Sequence, residues 1–318
     1  MKETFDFIEK QLEKNNKIVL LTVINWYGSS PGKTGFKLAV SSNGSFFGSI
    51  GGGAMEHRLV EKMKKKLNST EELYPEIEFY NHDPDAKDNK SGMICSGNQT
   101  IAFIPLQKKD LHEVRLMLSI INNKEKGIWV INPNGMSIVP NKVLGKRKIT
   151  KIKSEKIWEY AEQLGMPDTL FIFGGGHVGL ALSKVFYNLN FRVVILDNRK
   201  DLNTMKVNHF ADEKIVIDYA DSGKYVTDGF NIYVAVVTFA HKSDAQVLKQ
   251  MINKDIKYLG MMGSAKKIET IYDNLIKEGI STSSLAKVFA PIGVPINSET
   301  PDEIAISIAA QIIKVKND

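Results

Sequence analysis

Three glycines, Gly174, Gly176 and Gly179, follow the apolar run Thr169-Leu-Phe-Ile-Phe173 in the spacing G-x-G-x-x-G. In a phosphate-binding turn each position has its own task. The first makes the tight turn, the second lets backbone approach a pyrophosphate, and the third lets helix and strand pack closely. Apolar residues at helical spacing resume at Val178, Leu180, Ala181 and Leu182. A helix starting there would offer free N–H groups and a positive dipole end to an anion. A second apolar run, residues 191–196, ends in Asp197, close to where a ribose-binding acid falls in such units, and that acid would favour NAD over NADP. His177, inside the glycine loop, reads as a residue that shapes the phosphate turn rather than a catalyst. His241 and Asp244, at the mouth of another strand, form the one further acid/base pair worth naming. Asp244 reads equally as an acid serving the dipole of a helix start.

The first half carries a second glycine loop. Gly51, Gly52 and Gly53 run into a helical pattern with Glu56 in its first turn. The G-x-x-x-x-G-K-[ST] spacing is missing. The physics is still that of an anion cradle, with exposed N–H groups at a helix start, and a purely structural turn reads as well. Cys95 is the only cysteine and lies in Gly92-Met-Ile-Cys95-Ser-Gly97. A lone cysteine is usually a small buried hydrophobe. In a glycine-flanked loop it can instead be exposed near backbone N–H groups, which would lower its pKa. His82, Asp83 and Asp85 invite a metal reading, but one histidine with acids in a polar loop reads better as a surface turn.

The elements that must position these residues follow from periodicity. Residues 3–14 read as an amphipathic helix, and 17–25, continuous and β-branched, as a central strand. A hairpin is expected around Asn43-Gly44, and another around Pro133-Asn134-Gly135. Residues 75–92 read as irregular, 99–104 as a strand, 110–122 as a helix, 142–153 as weakly patterned and basic, and 157–164 as a helix. Gly165-Met-Pro167 is the best boundary, giving domains 1–166 and 167–318. Beyond it, strands and helices alternate. Short strands are expected at 207–210 and 214–217, a strong one at 232–238, and another from Tyr258 that ends at Gly263 and Ser264. The last helix starts behind Thr300 and Glu303, a capping box with Pro301 in the first turn. The fold expected is α/β: a C-terminal Rossmann-like doubly wound parallel sheet plus an N-terminal mixed α/β domain. Ligands of such sheets sit beyond the carboxyl ends of the strands.

Composition bounds the function. The chain has 318 residues, 43% hydrophobic and 25% charged, as an ordinary globular protein has. No apolar run reaches the roughly 20 residues that span a bilayer. The N-terminus lacks a signal-peptide core, and a single cysteine excludes an internal disulfide framework, so a cytoplasmic location is expected. The net charge of +6 is spread over lysines with no nucleic-acid reader motif, so neither nucleic acid nor membrane is expected as a partner.

Several of these stretches together carry a resemblance. Gly28-Ser-Ser-Pro31, Gly48-Ser-Ile-Gly51-Gly-Gly53 with Glu56, Cys95-Ser-Gly97, Phe173-Gly-Gly-Gly-His177-Val-Gly179 and Pro291-Ile-Gly-Val-Pro295 through 304–310 occur in that order. The chain resembles the XdhC/CoxI family of xanthine dehydrogenase accessory proteins over nearly its whole length. The resemblance implies a protein that binds the molybdopterin-type molybdenum cofactor, assists its sulfuration and delivers it to a xanthine dehydrogenase-like enzyme. It also implies a cysteine desulfurase or sulfurase as sulfur source, a homo-oligomer, and Cys95 as the thiol that touches molybdenum or carries sulfur. The chain departs from the family where many members read Cys-Gly-Gly, here Cys95-Ser96-Gly97, and where many place a cysteine after the triple glycine, here Ala54. The alternative is an NAD(P)-dependent oxidoreductase using the C-terminal domain, which leaves the N-terminal glycine loop and Cys95 without a role.

Overall fold

In a computed structural model, which describes residues 1–81 and 97–317, the chain divides into two compact units, Met1–Met166 and Pro167–Asp318. The first unit runs α1 (Lys2–Glu13), β1 (Ile18–Tyr27), β2 (Lys37–Ser41), β3 (Phe46–Ser49), α2 (Gly53–Leu67), β4 (Glu76–Asn81), β5 (Asn98–Leu106), α3 (Leu111–Asn122), β6 (Gly127–Asn132), β7 (Gly135–Pro140), β8 (Lys148–Ser154) and β9 (Ile157–Leu164). Its five-stranded sheet has the order β3-β2-β1-β5-β4, and a four-stranded sheet has the order β7-β6-β9-β8. Neighbouring strands in both sheets run antiparallel.

β1 is continuously apolar because it is buried on both faces. Ile18, Leu20 and Ile24 face a core with Phe5, Ile8 and Leu12 of α1 and Val114 and Met117 of α3. Val19, Leu21 and Val23 face a second core with Met55, Leu59, Val60 and Met63 of α2. Both hairpins form, β2 with β3 and β6 with β7.

Three local readings of this unit change. Residues 157–164 form β9 rather than a helix. Glu, Ala and Gln favour helix there, but Trp158, Tyr160 and Leu164 alternate into the core, and tertiary packing overrides the propensity. The alternation is disguised because the next inward position, Glu162, is a buried acid. Its carboxylate accepts from Lys37 Nζ at 2.7 Å and from the Tyr160 hydroxyl at 2.7 Å. Burial alone would raise the Glu162 pKa; the charges of Lys37 and Lys148 outweigh it and hold the carboxyl below the ordinary value. Residues 148–154 form β8, and within the polar stretch 75–92 residues Glu76–Asn81 form β4 against β5. His82, Asp83, Asp85 and Cys95 lie outside the described residues.

The second unit runs β10 (Thr169–Phe173), α4 (His177–Asn188), β11 (Arg192–Asp197), α5 (Asn203–Lys206), β12 (Glu213–Val216), β13 (Gly229–Val236), α6 (His241–Met251), β14 (Ile256–Met261), α7 (Ala265–Lys277), α8 (Thr282–Leu285) and α9 (Pro301–Asn317). Its sheet, β12-β11-β10-β13-β14, is parallel throughout. Leu170 and Ile172 pack towards Leu182 and Phe186 of α4 and Ile308 and Ile312 of α9. Phe171 and Phe173 pack towards Val247 and Met251 of α6 and Ile268 and Ile271 of α7. This is the Rossmann-like arrangement, with helices on both faces and strand order reversing beside β10. Residues 207–210 are not a strand: the preceding turn is α5, and Asn208 Oδ1 accepts from the N–H groups of Phe210 and Ala211, closing a turn. The capping box of α9 forms, with Glu303 accepting from Thr300 N and Thr300 Oγ1 accepting from Glu303 N. Among the described residues no helix is long and apolar enough to cross a membrane.

The buried pair gives a test. Lys37→Met strands the Glu162 carboxylate and is expected to cost about 3–5 kcal/mol in urea unfolding. Lys37→Met with Glu162→Leu should recover most of that loss. A single mutant within about 1 kcal/mol of the parent would contradict the pair's role.

Candidate functional site

The carboxyl ends of β10, β11, β13 and β14 converge, as parallel topology requires. At the end of β10, Gly174 has φ +123° and its N–H donates to Leu196 O at 2.8 Å, so the chain turns sharply out of the sheet. A Cβ on Gly179 would lie 2.0 Å from Gly174 O; the third glycine lets α4 close against the turn. A Cβ on Gly176 would meet nothing within 4 Å. Gly176 is the N-cap of α4, and the first intrahelical bond is Leu180 N to Gly176 O. The N–H groups of His177, Val178 and Gly179 precede that bond and have no intrahelical acceptor. A phosphate fits here: the path at Gly176 is open and the donors are those of a helix N-terminus. His177 is exposed at this mouth.

Asp197 is at the end of β11 as expected, but its carboxylate is already engaged. Buried within the unit, it accepts from Gly175 N at 2.7 Å, Arg199 N at 2.9 Å, Arg199 Nε at 2.8 Å and Arg199 Nη2 at 2.7 Å. Burial pushes its pKa up; the Arg199 guanidinium and the Gly175 and Arg199 N–H groups outweigh that and hold it below the ordinary value. In this arrangement Asp197 ties the glycine turn to the next strand and has no free oxygen turned to a ribose hydroxyl.

Asp244, expected beside His241, is fully buried and accepts from Thr238 Oγ1 at 2.6 Å, while Lys267 pairs with its other oxygen. Lys267 Nζ also donates to Met262 O at 3.2 Å. The acid's partners are thus the end of β13 and the first turn of α7, whereas His241 is exposed on the first residue of α6. Residues 241 and 244 lie on the same side of α6, but His241 is the first residue of the helix and exposed, whereas Asp244, one turn further in, is buried. Burial raises the Asp244 pKa, more than Lys267 and Thr238 lower it. Gly263, in the loop after β14, lies beside this pair; its Cβ would come 3.0 Å from Lys267 Cδ.

The N-terminal glycine loop is occupied by its own acid. Glu56 Oε2 accepts from Ile50 N at 2.8 Å, Gly52 N at 3.0 Å and Ser49 Oγ at 2.7 Å. Gly51 and Gly53 take positive φ, so the turn is real. The loop N–H groups of Ile50 and Gly52 thus serve Glu56, and that of Gly51 donates to Ser49 Oγ at 3.1 Å, so these loop donors are not open to a phosphate. The loop touches two others: Gly32 would place a Cβ 2.0 Å from Ile50 O and 2.1 Å from Gln99 Nε2. Gln99 is buried, donates to Ile50 O at 3.2 Å, and its Oε1 has no hydrogen-bond partner among the described residues. Below, Lys37 and Lys148 hold the carbonyls of Gly35 and Thr34 at 2.9 and 2.6 Å. Among the described residues no group of three or more His, Cys, Asp or Glu could hold a metal.

Arg199, Lys267 and Gln99 are residues that sequence reading missed. Arg199 left a signal, a cation two residues past the acid that ends β11. Lys267 and Gln99 left none beyond an ordinary helix start and an ordinary strand.

The two inner glycines separate binding from folding. Gly176→Ala should fold as the parent does and lose phosphate ligands. Gly179→Ala should lose stability by more than about 1–3 kcal/mol because Gly174 O blocks it. Equal thermal stability of the two variants would contradict this geometry. For Asp197, whose folded pKa is depressed, the stabilising contribution is full above the unfolded value of about 3.9 and fades as pH falls through the lower folded value. The stability gap between parent and Asp197→Asn should therefore be widest near neutrality and narrow in acid. A gap independent of pH would contradict the ionic role.

Known proteins correspond to this chain in both units. The XdhC Rossmann domain matches residues 170–312, and the XdhC and CoxI family matches residues 11–75. A protein of Bacillus subtilis strain 168, named as a probable subunit of xanthine dehydrogenase, is 21% identical over 333 residues, covering 97% of this chain and 96% of that one. The uncharacterized protein YqeB of Escherichia coli strain K12 is 23% identical over 311 residues; the alignment covers 96% of this chain but 45% of YqeB. The crystal structure of a xanthine dehydrogenase from Bacillus halodurans superposes with a TM-score of 0.65 at 22% identity, covering 99% of this chain and 96% of that one, and shares the fold. With a family match on each unit, the chain belongs to the XdhC and CoxI family.

Proposed function

We propose that this protein is an accessory factor of a xanthine dehydrogenase-like molybdoenzyme: it binds the molybdenum cofactor, assists its sulfuration and inserts it into the enzyme. The observation that carries the reading is membership of the XdhC and CoxI family in both units, with end-to-end correspondence to a chain named for xanthine dehydrogenase. The open turn at Gly174–Gly179 supports it, because a pterin phosphate or dinucleotide needs such donors. His177, Val178 and Gly179 would hold the phosphate, and Gly176 would leave its path clear. When bound, the cofactor would supply the metal centre at which the target enzyme works. Cys95 is the thiol this chain offers; as a thiolate it would contact the metal or pass sulfur from a desulfurase or sulfurase. Gly51, Gly52, Gly53 and Glu56 would then act by holding the neighbouring backbone in place rather than by taking phosphate.

A second reading, an NAD(P)-dependent oxidoreductase, is favoured by one specific observation. The buried Asp244–Lys267 pair sits at strand ends beside the glycine turn, where an acid/base group of such an enzyme would be.

Activation of a cofactor-free xanthine dehydrogenase by parent and Cys95→Ser decides the role of the thiol. Cys95→Ser should unfold at the parent's temperature, retain the fold and fail to deliver sulfurated cofactor. A variant that activates as well as the parent removes Cys95 from the function.

A further inference from the structure

We propose that the nucleotide face of the second unit selects an adenosine ligand bearing a 2′-phosphate, the NADP(H) type, and that Arg199 is the residue that reads the phosphate. The inference rests on the phosphate reading of the Gly174–Gly179 turn and goes beyond the accessory role, naming a nucleotide that would occupy the turn in place of the cofactor's phosphate. In a Rossmann unit the residue ending the second strand decides at the ribose: a free acid takes the 2′-hydroxyl, and a nearby arginine accommodates the 2′-phosphate. Here the second strand is β11, paired directly with β10, so its end flanks the glycine turn. Asp197 has the sequence position of the acid but not its availability, since its oxygens are held by Gly175 and Arg199. A carboxylate so paired neither accepts from a ribose nor presents uncompensated negative charge to a phosphate.

What the site presents outward is the guanidinium. The Arg199 side chain is 37% exposed. Of the five N–H groups of an arginine, Nε and one on Nη2 serve Asp197. The others, both on Nη1 and the second on Nη2, have no protein acceptor among the described residues. Their planar fork suits phosphate oxygens. The Asp197 contact and the ring of Phe239, 4.6 Å from the guanidinium carbon, keep the fork from wandering. Phe239 comes from the loop after β13, the strand on the other side of β10, and is 64% exposed. The two residues thus form a flat cation-on-aromatic platform between the ends of β11 and β13, suited to a purine as well as to a phosphate. Lys200, next in the chain, is exposed and adds a second positive charge. Asp197 is cancelled by Arg199 and the following Asp201 pairs with Lys206, which leaves Lys200 as the excess positive charge of this loop.

Calorimetry on the full chain with 2′,5′-ADP against 5′-AMP, and with NADPH against NADH, tests this without any mutation. The 2′-phosphorylated member of each pair should bind at least about tenfold tighter, as expected for one charge-assisted contact. Added salt should shrink that margin. Arg199→Met should abolish it. Because that change strands Asp197, Lys200→Gln, at an exposed position, provides a second variant and should reduce the margin. Equal affinity within the pairs overturns the inference and leaves the glycine turn intact. No binding of any adenosine ligand overturns both the inference and the nucleotide reading of the turn. A preference that survives Arg199→Met in a folded protein overturns the role of Arg199. None of these outcomes bears on enzyme activation, which tests the accessory role separately.

Discussion

The geometry of the second unit depends on one carboxylate. Asp197 joins the end of β11 to the glycine turn through Gly175 N and to its own downstream loop through Arg199. A buried charge of this kind is tolerable only when every lone pair finds a donor. Asp197 meets that condition and thereby sets the angle at which β10 leaves the sheet and α4 begins. The turn is held before any ligand arrives, so a phosphate would find donors already oriented rather than a loop to be ordered. Thr204 reinforces the arrangement by donating to Gly175 O.

The first unit uses the same device to a different end. Glu56 supplies the anion to the loop of Ile50 and Gly52 from within. In the second unit the internal acid takes a single glycine N–H and leaves the first turn of α4 to a ligand. Glycine-rich starts of two helices, alike in sequence, therefore differ in what they can bind because of where the nearest carboxylate reaches. Glu56 lies in the first turn of α2 and folds back onto its own loop. Asp197 comes from the adjacent strand and reaches the turn from the side. The buried Lys37–Glu162 pair supports the first unit from beneath, where Lys37 also holds the Gly35 carbonyl.

Much of this was legible in the sequence. Period and punctuation give β1, both hairpins, the alternation of the second unit and the cap of α9, because in each case local preference and tertiary packing agree. β9 was not legible, because Glu162 breaks its apolar alternation and its partner, Lys37, is remote in sequence. The glycine turn was readable as spacing. The state of Asp197 was not: spacing places an acid at the end of a strand but cannot say that Arg199 folds back onto it. Likewise His241 and Asp244 look like a pair in the sequence, and only the seating of α6 on the sheet turns Asp244 inward to Thr238 and Lys267.

Asp197 organises the turn from within and leaves the N–H donors of the first turn of α4 open. Backbone amide nitrogen–proton spectra of the isotope-labelled chain, titrated with NADP⁺, address it residue by residue. We predict that the amide signals of Gly176, His177, Val178 and Gly179 move together on saturation while Gly175, held by Asp197, stays close to its starting position. Movement confined to residues elsewhere, or a Gly175 signal that shifts as far as its neighbours because the Asp197 bond is released, would contradict it.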